Sequence, residues 1–415
     1  MDTPVRRAAS GLSRRGWLIL WSLIGVGLVA RTIVAFETYG FIYDMDSLVA
    51  VRHALADDPL NVYSIVNGHP YNRWPYDSGF FPFILGSSKV ANVTGLAYHG
   101  LVQLAPIVAD CAIAWLVQDH LGRRGAGERL RLLAAGLVAL GPSFGIISGF
   151  HGQIDSVALL PAALAVWYWE LATPGVRRAI VAGALIGLGV SIKTVPGLML
   201  FALLPSVLSR REAAALVLPA IAVPVVAVAP FLIADPNATI DAFRTHRALT
   251  GFGGISLLTQ PDLAGMWLRS ETIRLSPLTE FLGDNEFPLT AALMSPLIAL
   301  VLLRRTPPTA AAALLWCALP LLSIGFSFQY VVWALPFALM AGYLWQVAAV
   351  QAALLLPTVI FEWNPFEPPP VDLYVAIMAL VWAGSLAGVV KLALRLYRER
   401  SRIATGHGDS MVRTW

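Results

Sequence analysis

Residues 16–36 read GWLILWSLIGVGLVARTIVAF, an apolar run of about 20 residues that, as a helix, reaches across a hydrocarbon core ~30 Å thick. Runs of this kind recur from Gly16 to the basic C-terminal tail, and no intervening segment is long or polar enough to form a separate soluble domain. The chain is 57% hydrophobic and 13% charged, where a soluble domain carries about 25% charged residues. Water-soluble globular classes are excluded. The pattern predicts an all-α polytopic membrane protein, one domain over residues 1–415, with roughly ten to twelve transmembrane helices and interfacial helices in the outer loops. The first run follows Arg6, Arg7, Arg14 and Arg15 and lacks a small-residue cleavage site, so it reads as a retained span rather than a signal peptide.

A net charge of +4 is compatible with nucleic acid, but the arginines stand in short clusters beside apolar runs. These clusters are Arg14/Arg15, Arg123/Arg124/Arg129/Arg131, Arg177/Arg178, Arg210/Arg211, Arg304/Arg305 and Arg395/Arg398/Arg400/Arg402. That is the positive-inside pattern, and placing every cluster in the cytoplasm puts both termini there too. No nucleic-acid partner is expected; membrane lipids are. Residues 80–118 are too long for one crossing, and either one crossing with a re-entrant piece or three crossings satisfies the arginines. Cys111 and Cys317 lie in apolar runs and read as small buried hydrophobes. The orientation leaves most carboxylates outside, in two long loops, 37–78 and 235–288, whose aromatic residues argue for folding onto the membrane surface.

Four stretches at that outer face could carry chemistry. Asp44 and Asp46 precede Leu48, Val49, Val51 and Leu55 at helical spacing, which suggests an interfacial amphipathic helix with two carboxylates at its N-terminus; helix capping alone requires only one. His151, Gln153 and Asp155 stand where one span emerges and the next enters. His151 and Asp155 share a face if that helix starts near His151, and a carboxylate entering a bilayer is costly enough to signal function. Lys193 is one of only three lysines against 26 arginines. The 31 residues between Arg178 and Arg210 give a hairpin with arms of roughly 22 Å, too short to reach the far surface, so its tip would hold Lys193 below it. A snorkelling lysine is the plain alternative. Lastly, Gln329 and Tyr330, followed by Trp333, and Trp74 with Tyr76 before the second apolar run, suit sugar hydroxyls and sugar faces or an aromatic belt. There is no phosphate-binding glycine loop, no HExxH and no GxSxG.

Taken in order, Asp44-Met45-Asp46, Trp74-Pro75-Tyr76, His151-Gly152-Gln153-Ile154-Asp155, Lys193-Thr194-Val195-Pro196 and Phe328-Gln329-Tyr330 with Trp333 and Pro336 resemble the GT-C superfamily of membrane glycosyltransferases. The likeness is nearest to the polyprenyl-phosphate-mannose-dependent mannosyltransferases and spans residues 16 to about 345. It implies a polyprenyl-phosphate-linked sugar donor, mannose by the nearest likeness, a lipid-linked or glycan acceptor, an active site on the extracytoplasmic face of a plasma membrane, and an acidic residue of the first outer loop as general base. Asp46, which abuts the helical pattern, is preferred for that role over Asp44. Lys193, helped by Arg73, His151 or His246, would hold the donor phosphate, while Gln153, Asp155, Trp74, Tyr76, Gln329 and Tyr330 would line the substrate. No resident cofactor is identified; a divalent metal, Mg or Mn, is compatible. Ser47-Leu48-Val49 stands where the family has an aromatic, and Trp74-Pro75-Tyr76-Asp77 replaces a double proline, departures that bear on the donor sugar. A transporter or flippase for a lipid-linked or small polar substrate is the alternative class. Against it, no internal repeat is visible and the charges gather at one face rather than along a midplane path.

Overall fold

The computed structural model describes residues 11–67, 73–244, 253–326, 328–363 and 366–404, and every regular element among them is helical. The first span, α1 (Arg14–Glu37), starts behind Ser13, whose hydroxyl accepts from the Gly16 amide. The outer loop after it folds into α2 (Ile42–Asp57) and α3 (Val62–Val66). The long apolar stretch from Phe80 divides at Gly95 into a 14-residue helix, α4 (Phe81–Thr94), and a 26-residue one, α5 (Tyr98–Arg123). Next come α6 (Glu128–Ala139), α7 (Pro142–Ile146) and a π-helical turn over Ile147–His151, which together make one apolar run.

After α8 (Asp155–Leu171), the expected short hairpin is α9 (Val176–Val190), a turn carrying Lys193, and a return through α10 (Met199–Leu203). After α11 (Arg210–Ala234), the second outer segment forms α12 (Pro236–Arg244), α13 (Gly254–Thr259), α14 (Asp262–Leu268) and α15 (Pro277–Asp284). The chain ends with α16 (Glu286–Arg304), α17 (Pro308–Leu322), α18 (Val331–Met340), α19 (Leu344–Trp363) and α20 (Val371–Ala404). Seven helical runs among the described residues are long and apolar enough to cross a membrane, and three shorter apolar helices lie among them.

Two cores hold the bundle. The larger runs through α5, α6, α8, α9, α17 and α18 around Trp169, Trp316 and Phe337. The smaller gathers Met45, Leu48, Val51 and Leu55 of α2 with Tyr63, Trp74, Phe81 and Ile84. The apolar face of α2 therefore packs on protein, where the sequence pattern alone suggests an interfacial helix.

Polar contacts fix which helix ends lie together. Ser13 at the start of α1 bonds Glu128 at the start of α6. Arg131 reaches Gln118 near the end of α5, and Thr309 of α17 bonds both His120 of α5 and Glu170 of α8. Arg178 of α9 pairs with Glu212 of α11 at 2.6 Å. Most arginine clusters thus share one end of the bundle, and the acidic and aromatic motifs gather at the other.

Candidate active site

The acidic helix and the π-turn meet at that second end. Gly40, at φ +88°, lies so close to the π-turn that a Cβ there would sit 2.7 Å from the Phe150 carbonyl oxygen. Gly152, at φ +83°, leaves equally little room beside the Met45 sulfur. Both positions need a left-handed backbone and no side chain. The docking is completed by the Phe41 amide, which donates to the His151 carbonyl (3.3 Å), and by the Phe41 ring, stacked on the imidazole at 4.5 Å. A π-turn inside an apolar run is a recurrent mark of function, and here it turns His151 toward α2.

Because α2 begins at Ile42, both Asp44 and Asp46 are helical, and Asp44 lies in the first turn, where the helix dipole favours its charge. This removes the loop-versus-helix distinction on which the sequence preference for Asp46 rests. Asp44 Oδ2 accepts from Gln153 Nε2 (2.6 Å) and lies 2.6 Å from His151 Nε2. His151 Nδ1 lies 2.7 Å from Glu362 Oε1, on a glutamate that is fully buried at the end of α19. Each imidazole nitrogen thus faces a carboxylate oxygen, and the three side chains form one hydrogen-bonded unit that fixes Asp44.

Asp46 differs. Its Oδ1 accepts from the Tyr39 hydroxyl at 2.9 Å. Burial, and then Asp46 itself, raise the Tyr39 phenol above its usual range, so it remains a donor. Asp46 lines a cavity of about 670 Å³ together with Tyr43, Arg73, Phe150 and Glu362. Arg73 lies 5.6 Å over the Tyr43 ring. Its Nη1 is buried without a hydrogen-bond partner, and no ion pair forms on it among the described residues.

Beside this cavity lies a second cluster. Asp155 Oδ1 accepts from Lys193 Nζ at 2.7 Å and from the Trp333 indole, and its Oδ2 is buried without a partner. The Lys193 ammonium sits 5.1 Å over Tyr76, 5.3 Å over Trp333 and 5.9 Å over Tyr330. Tyr76 joins the clusters: its phenol is pushed well above the usual range, first by burial and then by the charges of Asp44 and Asp155.

The structure thus brings Asp44, Asp46, Arg73, His151 and Gln153 into one group, and Asp155, Lys193, Tyr76 and Tyr330 into its neighbour. Trp74, expected to line substrate, is 2% exposed and packs into the smaller core against Phe80 and Phe81. Gln329 is buried in the turn before α18. His246 lies outside the described residues. The expected phosphate cation Lys193 is already neutralised by Asp155, and the helper His151 is held between carboxylates. Among the described residues no group of three or more His, Cys, Asp or Glu is arranged to hold a metal.

Sequence reasoning missed Glu362, although a carboxylate at the end of an apolar run, just before the last outer loop, is a legible signal. It also missed Arg31 and Asp110, an ion pair at 3.3 Å within the helices. Arg31 Nη2 further donates to the carbonyls of Val138 and Ala139, closing the end of α6 before the π-turn.

Fold and site together define an all-α membrane protein with a cavity at one end of its bundle into which Asp46, Arg73 and Glu362 bring charge on an otherwise largely apolar wall. The profile of Glycosyltransferase family 87 matches residues 93–327, and the chain belongs to that family. A comparison with curated proteins finds no match. Among solved structures, ArnT from Cupriavidus metallidurans in the apo state is similar at a TM-score of 0.50 and 17% identity, covering 92% of this chain and 75% of that one. The same protein bound to undecaprenyl phosphate gives a TM-score of 0.49 and 15% identity, with 92% and 78% covered. The protein is a membrane glycosyltransferase of the GT-C architecture.

Proposed function

We propose that this glycosyltransferase moves a hexose, mannose by its sequence likeness, from a polyprenyl-phosphate donor to a hydroxyl of a lipid-linked or glycan acceptor, with Asp46 as the general base. The observation that carries the reading is the cavity wall: the Asp46 carboxylate, which accepts from the Tyr39 phenol, faces the same space as Arg73, whose guanidinium closes no ion pair among the described residues. Asp46 takes the acceptor hydroxyl proton as the oxygen bonds to the sugar C1. The C1–O bond to phosphate breaks, and the electron pair leaves with the polyprenyl phosphate, whose charge Arg73 stabilises. Asp44, fixed by His151, Gln153 and Glu362, orients the acceptor. The aromatic rings around Lys193 offer faces on which a sugar can stack.

Purified protein reconstituted in vesicles with radiolabelled polyprenyl-phosphate mannose and a membrane-lipid extract should yield labelled glycolipid. Label that crosses the bilayer still attached to its donor would overturn the reading in favour of a flippase. The arginine-bearing end faces the cytoplasm in this reading, so Ser64→Cys and Ser270→Cys, both at exposed positions, should react with an impermeant thiol reagent in intact cells. Protection of both would invert the orientation.

A further inference from the structure

A second cavity of about 720 Å³ runs between α17, α18, α19 and α20 and shares no lining residue with the first. It is open because α20 presents small residues there: a Cβ at Gly384 or Gly388 would meet nothing within 4 Å. Among the described residues, its lining near the catalytic end is Gly253, Gly254, Phe326 and Val331, without a charge, and its only charged residues are Lys391 and Arg395. The helix α20 starts at Val371, in the segment after Glu362. At about 1.5 Å rise per residue, Lys391 lies ~30 Å and Arg395 ~36 Å further along, which is the thickness of the hydrocarbon core. On α20 the groove itself is lined from Met378 to Arg395, so it is mainly apolar over roughly 20 Å of the bilayer's depth and cationic toward the far end of that helix.

We infer that this groove holds an anionic glycerophospholipid, with its acyl chains along α17–α20 and its phosphate beside Lys391 and Arg395. Tyr343 and Gln346, which also line the cavity, carry hydroxyl and amide groups suited to phosphate oxygens. Basic pockets between helices are a known way of reading lipid headgroups. The other long amphiphile at hand is a polyprenyl phosphate, but a donor's phosphate must lie at the end that holds Asp46 and Arg73, where the described residues lining this groove carry no charge to meet it.

The test is native mass spectrometry of the full-length protein titrated with phosphatidylglycerol or phosphatidylcholine. The wild type should retain phosphatidylglycerol in preference, and the double variant Lys391→Gln/Arg395→Gln should bind it roughly 30-fold more weakly, as expected for two headgroup cations. Gly388→Leu, which narrows the groove, should weaken both lipids, while glycosyl transfer in detergent stays at the wild-type level in all variants. Equal retention of the two lipids by the wild type, or unchanged phosphatidylglycerol affinity in the double variant, would overturn the assignment. So would displacement of phosphatidylglycerol by polyprenyl phosphate together with loss of polyprenyl phosphate binding in Gly388→Leu, which would give the groove to the donor.

Discussion

At the arginine-bearing end of the bundle, charges close on one another. Arg178 meets Glu212, Arg123 meets Asp119, and His120, Thr309 and Glu170 share one contact. At the opposite end the polar groups are as deeply placed, and among the described residues Arg73 Nη1 and Glu362 Oε2 on the cavity wall and Asp155 Oδ2 beside it are buried without partners; at the arginine-bearing end Arg178 Nε is also without one, but it lines neither cavity. Desolvating a polar atom without satisfying it costs about 1–3 kcal/mol. Groups that bear that cost beside a cavity are placed for something that comes and goes, whereas pairs that close without a cavity clamp helices.

The sharpest test of the comparison sets Asp46 against Asp44. Asp46→Asn keeps the shape and the Tyr39 contact but cannot take a proton, so single-turnover rates at saturating donor should fall ~10²–10⁴-fold with donor binding intact. Asp44→Asn, whose partner groups hold it in place, should show the smaller loss. Near-wild-type turnover in Asp46→Asn combined with an inactive Asp44→Asn would exchange their roles.

Lys193 separates a clamp from a binding cation. Lys193→Ala leaves the fully buried Asp155 carboxylate without its cation, a loss of about 3–5 kcal/mol that should appear as a much lower unfolding temperature in detergent. Restoring neutrality with Lys193→Met plus Asp155→Leu should recover most of that stability. A Lys193→Ala protein as stable as wild type but weak for donor would return Lys193 to the phosphate role that its position in the sequence suggests.

Arg73→Gln reverses that signature. Since its guanidinium closes no ion pair among the described residues, folding stability should stay within about 0.5 kcal/mol of wild type. Donor KM should rise by roughly 10–100-fold, the worth of a charge-assisted phosphate contact of about 1.5–3 kcal/mol, and Arg73→Lys should recover only part of it. A stability loss without a donor defect would make Arg73 another clamp.

The helical membrane architecture is plain in the sequence because apolar length is a local property, and the arginine clusters mark one end because each sits beside its own span. Over residues 80–118 the arginines admit one crossing with a re-entrant piece or three crossings, and the break at Gly95 is not legible, since apolar length does not say where a chain turns. The acidic and histidine motifs were legible one at a time. What was not legible is who pairs with whom. Lys193 looks like an open cation until α8 brings Asp155 to it, 38 positions earlier in the chain. Glu362 has no visible role until α19 delivers it to His151, 211 positions away. Such partners are chosen by helix packing, which no local pattern encodes.

The smallest effect belongs to Arg123, at the closed end. Its Nε lies 2.5 Å from Asp119 Oδ2 at i,i+4, and its guanidinium stands 5.4 Å over Trp167. The pair looks as strong as any in the molecule by distance, but the arginine side chain is 40% exposed and the aspartate 21%, so water and salt screen it. Exposed pairs contribute about 0.2–1 kcal/mol, and an exposed cation–π contact adds about 0.5–1. Removing the arginine also leaves Asp119 with a donor, because the Trp167 indole bonds the same oxygen at 2.8 Å, so no uncompensated charge is created. Arg123→Gln should therefore lower stability by no more than about 2 kcal/mol, less at high salt, and leave donor KM and turnover at wild-type values. Its pairing with Arg73→Gln is the informative one: two arginines, one closed by a carboxylate and one open to a cavity, should divide stability and activity between them. A turnover defect in Arg123→Gln comparable with that of Arg73→Gln would show that closure of a charge does not distinguish clamp from site in this protein.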